Sequence, residues 1–223
     1  MKTIALKVTG KIFDDREALV ELLEVVRKLS AEYKVVIVAG GGRVARESIA
    51  LARNIGVSSN YWLDEIGIEA SRLNALVLAA ALQPLAYPGV PTSLGDVLRA
   101  LESSRVVAVG GLMPGQSTAS VLLEVAEAVG LNEVYDLSAV EYVYDRDPRV
   151  HPDAKPVKVI EASRLAQLIE ARQIPGDYAL IDLRALDIAV RSRITVKIAN
   201  YKKPSSLLEM IKGGNPGSTI IPE

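Results

Sequence analysis

Three glycine-bearing segments directly follow apolar runs in this sequence: Thr9-Gly10-Lys11, Gly40-Gly41-Gly42 and the stretch from Gly110 to Gly115. Glycine lets a backbone come close to an anion, and the exposed amides of a helix starting there carry partial positive charge, a combination that suits phosphate. Taken singly, each segment is equally well explained as a tight turn after a strand. The recurrence of the arrangement is what points to a chain of phosphates.

Lys7 lies inside the first apolar run and Lys11 just beyond its turn. Either ammonium is placed to neutralise charge spreading over a transferring phosphoryl group, and either is also consistent with a solvated lysine at a strand edge. No GxxxxGKS/T segment occurs, and Gly40 to Arg46 lacks the spacing of a dinucleotide fingerprint, so neither a Walker loop nor a Rossmann turn is indicated. Cysteine is absent and His151, the sole histidine, sits in a polar stretch. Disulfides and thiolate metal sites are excluded, and no dedicated metal cage is expected.

Strands and helices must position these groups. Thr3 to Val8 reads as a strand, and Asp15 to Tyr33 as a helix with Leu19, Leu22, Leu23, Val26 and Leu29 at helical spacing behind an Asp cap. Val35 to Ala39 is a second strand, followed by a helix carrying Arg46, Ile49, Ala50 and Arg53. A strand over 106–109, a helix over 118–129 and a strand over 133–137 continue the alternation. The last third offers a helix over 162–170, a strand near 178–181, a helix ending at Val190, a strand over 194–198, a helix through 207–211 and a closing strand over 218–221.

Strands that are apolar on both faces and separated by helices imply a mainly parallel sheet covered on both sides, a three-layer αβα sandwich of the α/β class. In such a sheet, ligands bind beyond the carboxyl ends of the strands, where the glycine loops fall. Pro84 to Pro91, ahead of a Thr92 or Ser93 helix cap, reads as a hinge, the base of a lid or a plain connection. No linker or internal repeat divides the 223 residues, which are treated as one domain.

A formal net charge of −1 provides no field to recruit nucleic acid. The apolar stretch Leu73 to Leu82 is too short to span a bilayer, and the opening MKTIALKVTGK reads as a strand and turn. A soluble, cytoplasmic protein with no membrane or nucleic-acid partner is expected.

Several segments together resemble the amino acid kinase superfamily. KVTGK looks like its first-strand Lys-Ile/Val-Ser/Thr-Gly motif and VAGGGRVAR like its second-strand glycine motif. The resemblance continues through DEIGIEASRLNA at 64–75, GGLMPGQSTA at 110–119, YDRDPR at 144–149 and the GSTI of 217–220, and so covers essentially the whole chain. The ordered set is most similar to the archaeal uridylate (UMP) kinases of that superfamily. The resemblance implies transfer of the γ-phosphoryl group of ATP to UMP with Mg²⁺, an acceptor part over about 1–130, an ATP part over about 131–223, and a hexamer.

By the same resemblance, Lys7, Gly10 and Lys11 would contact the phosphates in flight, with Lys7 and Lys11 as the catalytic pair. The amides of Gly41 and Gly42 would hold the UMP phosphate and Arg46 would grip it, a role that suits the guanidinium fork. Asp64 and Gly67 would lie near the ribose, although Asp64 is also a plausible helix cap. Gln116, Ser117 and Thr118 would read uracil, with Thr118 alternatively a plain N-cap. Ser138, Glu141, Tyr144 and Asp147 would form the ATP side.

Two departures stand out. Where the family carries T-N/K-V-D-G-V-Y/F, this chain reads Ser138-Ala139-Val140-Glu141-Tyr142-Val143-Tyr144, which puts a ring in place of a glycine. Ala119 stands where some relatives have Asp. No general base is assigned, because an attacking phosphate oxygen is already ionised near neutral pH. Two alternatives stay open: the same chemistry with a different acceptor, and a nucleotide-binding regulatory or storage protein with a degenerate ATP site.

Overall fold

A computed structural model describes residues 1–146, 150–170 and 181–222. The β-branched runs form the spine of the molecule: β1 (Lys2–Val8), β2 (Tyr33–Ala39), β3 (Val106–Val109) and β4 (Glu133–Ser138). β5 (Val143–Tyr144) and β6 (Pro156–Val157) make a separate antiparallel pair. With β7 (Val159–Glu161), β8 (Thr195–Asn200) and β9 (Ser218–Ile221), the first four strands complete a seven-stranded sheet of order β3-β2-β1-β4-β8-β9-β7. Its neighbours pair in parallel except β8 with β9. The expected strand near Tyr178 falls almost wholly outside the described residues.

Helices cover both faces. Val36, Val38, Val107 and Val134 pack with α4 (Leu94–Ser103), α5 (Thr118–Val129), α6 (Ala162–Glu170) and α7 (Leu183–Arg191). The alternate residues Leu6, Val8, Ile37 and Leu137 pack with α1 (Arg16–Leu29), α3 (Asn60–Ala81) and α8 (Ser206–Ile211). This is the two-sided cover that parallel strands require, and the αβα sandwich follows from it.

Local signals set the helix starts. The Asp15 carboxylate accepts from the Ala18 amide at 3.2 Å, and Ser93, rather than Thr92, caps α4 by accepting from the Asp96 amide at 3.1 Å. The apolar stripe of α1, with Leu22, Val25 and Val26, is buried on its own sheet. Exposed apolar side chains gather instead on α2 (Gly42–Asn54) and α3, among them Leu51, Trp62, Leu73 and Leu76. The proline-rich passage is a connection: Ala86 bridges Val106 in parallel, and the Tyr87 amide donates to the Val106 carbonyl at 2.8 Å. Among the described residues, no helix is long and apolar enough to cross a membrane.

Candidate active site

Because β1 to β4 run parallel, their carboxyl ends lie at one rim, and the loops leaving them are tied together there. The Gly40 amide donates to the Val8 carbonyl at 3.0 Å and the Thr9 amide to the Leu137 carbonyl at 2.9 Å. Gly10 and Gly42 pack backbone against backbone: a Cβ on either would overlap the other, and Gly42 has a φ of +63°. Only glycine lets the two loops come this close.

Two helix N-termini face this rim, in different states. At α2 the N-cap is Gly41, which brings no side-chain hydrogen bond, so the first amides remain available to an anion. At α5 the cap is Ser117, whose Oγ accepts from the Ala119 and Ser120 amides, both at 3.1 Å, and donates to Asp182. Asp182 also accepts from the Ser120 hydroxyl at 2.9 Å and caps α7. Thr118 is thus the first helical residue and not the cap.

The long α3 supports the loops from one side. Asn74 Nδ2 donates to the Gly40 carbonyl at 2.7 Å, the Gly111 amide donates to Ser71 Oγ at 2.7 Å, and Arg72 Nε donates to the Gly111 carbonyl at 3.1 Å. Asp64 sits within α3 rather than at its cap, and its Oδ2 accepts from the Gly115 amide at 2.9 Å.

Between α2, α3 and the Gly110–Thr118 loop lies an open cleft. Gly41, Asp64, Gly67, Gln116 and Thr118 line it together with Ile49, Leu63 and Ile68, which makes one wall apolar and the other rich in polar groups. Gln116 Nε2 donates to Glu124 at 2.7 Å, while its Oε1 is buried and has no partner among the described residues, an acceptor left for a ligand donor. Gly42, Arg46 and Ser117 are not among the lining residues. Arg46 is exposed on the first turns of α2, and Lys11 is exposed in the short 3-10 turn over Gly10–Asp14.

Lys7 is not a solvated edge lysine. Its ammonium lies 2.9 Å from both carboxylate oxygens of Asp136 on the neighbouring strand, with the residues 9% and 2% exposed. Burial pushes the Asp136 carboxyl above the usual carboxylate range, and Lys7 pulls it part of the way back.

On the far side, Ser138 is buried at the end of β4, Glu141 is exposed and Tyr144 is half-buried in β5. Asp147 lies outside the described residues. Tyr142 is half-buried, edge-on to Tyr144 with ring centroids 6.4 Å apart, and Lys158 Nζ stands 4.5 Å from its centroid. Ser218 Oγ accepts from the Val143 amide at 2.9 Å and donates to the Val157 carbonyl, clamping this region to β9. His151 is exposed, and among the described residues no three His, Cys, Asp or Glu side chains cluster as metal ligands.

Residues 2–200 match the amino acid kinase family. The chain belongs to that family. A uridylate kinase of Staphylothermus marinus is 50% identical over 221 residues, covering 99% of each chain, and one of Pyrobaculum calidifontis is 39% identical over 97% of this chain and 99% of its own. Among solved structures, uridylate kinase from Archaeoglobus fulgidus superposes with a TM-score of 0.88 at 29% identity, covering 99% of this chain and 100% of its own. The UMP kinase of Bacillus anthracis shares the fold at a TM-score of 0.77 and 19% identity, covering 99% of this chain and 96% of its own.

Within this amino acid kinase fold, sequence reasoning missed Ser71, Arg72, Asn74, Asp136 and Asp182. One of them had left a signal: Asp136 is a lone carboxylate between Tyr135 and Leu137 in an apolar strand, and a buried charge needs a partner.

Proposed function

We propose that this protein is a uridylate kinase: a phosphate oxygen of UMP attacks the γ-phosphorus of ATP, the new O–P bond forms as the bond to the ADP oxygen breaks, and UDP and ADP leave. The observation that carries this reading is the cleft, where Gly41, Asp64, Gly67, Gln116 and Thr118 converge beside the uncapped start of α2. The UMP phosphate sits on the Gly41 and Gly42 amides, held also by Arg46. Asp64 keeps free lone pairs for the ribose hydroxyls beside its bond to Gly115. Gln116 and Thr118 read the uracil, the Gln116 Oε1, without a partner among the described residues, matching the base N–H, while Ser117, its hydroxyl engaged by the α5 amides and Asp182, holds the loop that carries them.

Lys7, Lys11 and the Gly10 loop offset charge on the phosphoryl group in transit. ATP occupies the side to which Ser138, Glu141 and Tyr144 contribute, with Asp147 assigned to it by the family resemblance alone, which gives about 1–130 to the acceptor and about 131–223 to the donor. Mg²⁺ bound to ATP would offset charge on the phosphates, and no side chain of this chain is assigned to hold it. The setting is cytoplasmic pyrimidine nucleotide biosynthesis, and the working form is a homohexamer, for which the exposed apolar side chains of α2 and α3 supply contact surface.

A coupled assay with MgATP against UMP, CMP, dUMP and acetylglutamate tests the reading, with Arg46→Ala as control. UDP formation selective for UMP and weakened in the variant is expected; no turnover of UMP sinks the assignment. The second reading, nucleotide binding without turnover, is motivated by Tyr142 and is favoured if UMP raises the melting temperature while no UDP forms.

A further inference from the structure

β1 and β4 are parallel neighbours whose register sets Lys7 directly against Asp136. Lys7 alternates with Ala5 and Asp136 with Val134, so both point to the α5 side of the sheet. Among the described residues, Asp136 receives its side-chain hydrogen bonds from Lys7 alone, and Lys7 donates to no other group. The helix packed over this part of β1 offers no carboxylate in its first turn, which reads Thr118-Ala119-Ser120. Whatever fixes the Lys7 ammonium therefore comes from the sheet itself.

Stability does not account for the pair. Two charges buried within a packed strand layer are costly to desolvate, and an apolar pair of similar volume usually serves folding as well or better. The place along the strands is informative: Lys7 is one residue short of the end of β1, at the rim where Gly10 and Gly42 meet. A free lysine stem carries rotamer entropy that is lost when its head is fixed on a phosphoryl group. An ammonium already held by a buried carboxylate has lost that freedom beforehand and still has a third N–H to direct outward.

We infer that Asp136 is the positioning residue of Lys7, supplied by the neighbouring strand and holding the ammonium at the rim in the geometry that phosphoryl transfer needs. The inference rests on the uridylate kinase reading, since it is that reaction in which Lys7 acts. Asp136 touches no substrate; it acts only through Lys7.

A rate-based double-mutant cycle over Lys7→Ala, Asp136→Asn and the double variant tests it, with kcat and KM for UMP and ATP and the melting temperature recorded for each. Asp136→Asn is expected to lower kcat by roughly 10- to 100-fold, the scale of a misplaced catalytic group, with KM for UMP nearly unchanged. In the Lys7→Ala background the same substitution should cost little more, because the two residues act as one unit. Equal losses in both backgrounds, or full kcat in Asp136→Asn, overturn the inference. If Asp136→Asn does not fold, Asp136→Glu replaces it in the cycle: the carboxylate is kept but moved, and the same non-additivity is required. Failure of the kinase reading is seen separately, as absent UDP formation by the unmodified protein.

Discussion

The Asp64 carboxylate accepts a 2.9 Å hydrogen bond from the Gly115 amide and thereby joins the middle of α3 to the loop that leaves β3. The same carboxylate lines the cleft, so one group both holds the loop and faces the space proposed for UMP. Hydrogen bonds to a charged group are worth about 1.5–3 kcal/mol. Asp64→Ala should therefore lower kcat/KM for UMP by roughly 10- to 100-fold, and KM for ATP should change far less. Steady-state kinetics with each substrate varied in turn check this, and equal losses for both substrates would contradict the assigned role.

Gly67 and Gly10 should respond oppositely to the same substitution. A Cβ on Gly67 would meet Ile49 Cδ1 at an ordinary 3.5 Å, inside a helix where Ala is better than Gly by about 1 kcal/mol. Gly67→Ala should keep or raise the melting temperature and yet weaken UMP, because the methyl group enters the cleft. Gly10→Ala forces the backbone of Gly42 aside and should cost about 1–3 kcal/mol, or roughly 2–12 °C. Thermal unfolding paired with UMP titration separates the two.

How far these positions could be read in advance varied for physical reasons. β1, β2 and β3 announce themselves as β-branched runs ending at glycine, and the convergence of Gly41, Asp64, Gly67, Gln116 and Thr118 on one cleft follows the order of their motifs. Asp136 could be suspected of needing a partner, but naming Lys7 required knowing that β4 lies beside β1, a long-range fact that no local pattern carries. The reversal of β9 against β8 was hidden for the same reason. The very short strands β5 and β6 have too few residues to show a period. Thr118 is a competent cap by residue type, but Ser117 takes that place, its Oγ accepting from the Ala119 and Ser120 amides.

The Lys7–Asp136 pair also has a folding signature. Removing either charge alone, as Lys7→Met or Asp136→Leu, leaves the other buried and should cost about 3–5 kcal/mol, whereas the double variant should be near neutral or stabilised. The pH dependence has a definite sign. Burial raises the folded-state pKa of Asp136 above its unfolded value of about 3.9, so the folded form binds the proton more tightly. Its contribution is fully present below that unfolded value and is lost as pH rises through the folded one. The stability of Asp136→Asn relative to the unmodified protein should therefore increase with rising pH. Urea unfolding across pH 4 to 8 measures the slope, and an opposite slope would show that the Lys7 charge outweighs burial.

Tyr142 tests how the proposed donor side tolerates a ring where the resemblance leads one to expect glycine. Lys158 Nζ stands over its ring at 4.5 Å and Tyr144 packs near-perpendicular to it, so the ring is held by the protein before any nucleotide arrives. An aromatic pair contributes about 0.5–1.5 kcal/mol beyond its buried area, and an exposed cation over a ring about 0.5–1 kcal/mol. If this arrangement shapes the ATP side, Tyr142→Ala should raise KM for ATP by roughly 3- to 30-fold, following those energies, with KM for UMP unchanged, and Lys158→Ala should move it the same way by less. Improved ATP use in Tyr142→Gly would mean instead that the ring obstructs the donor, and the sign of the change in KM for ATP distinguishes the two.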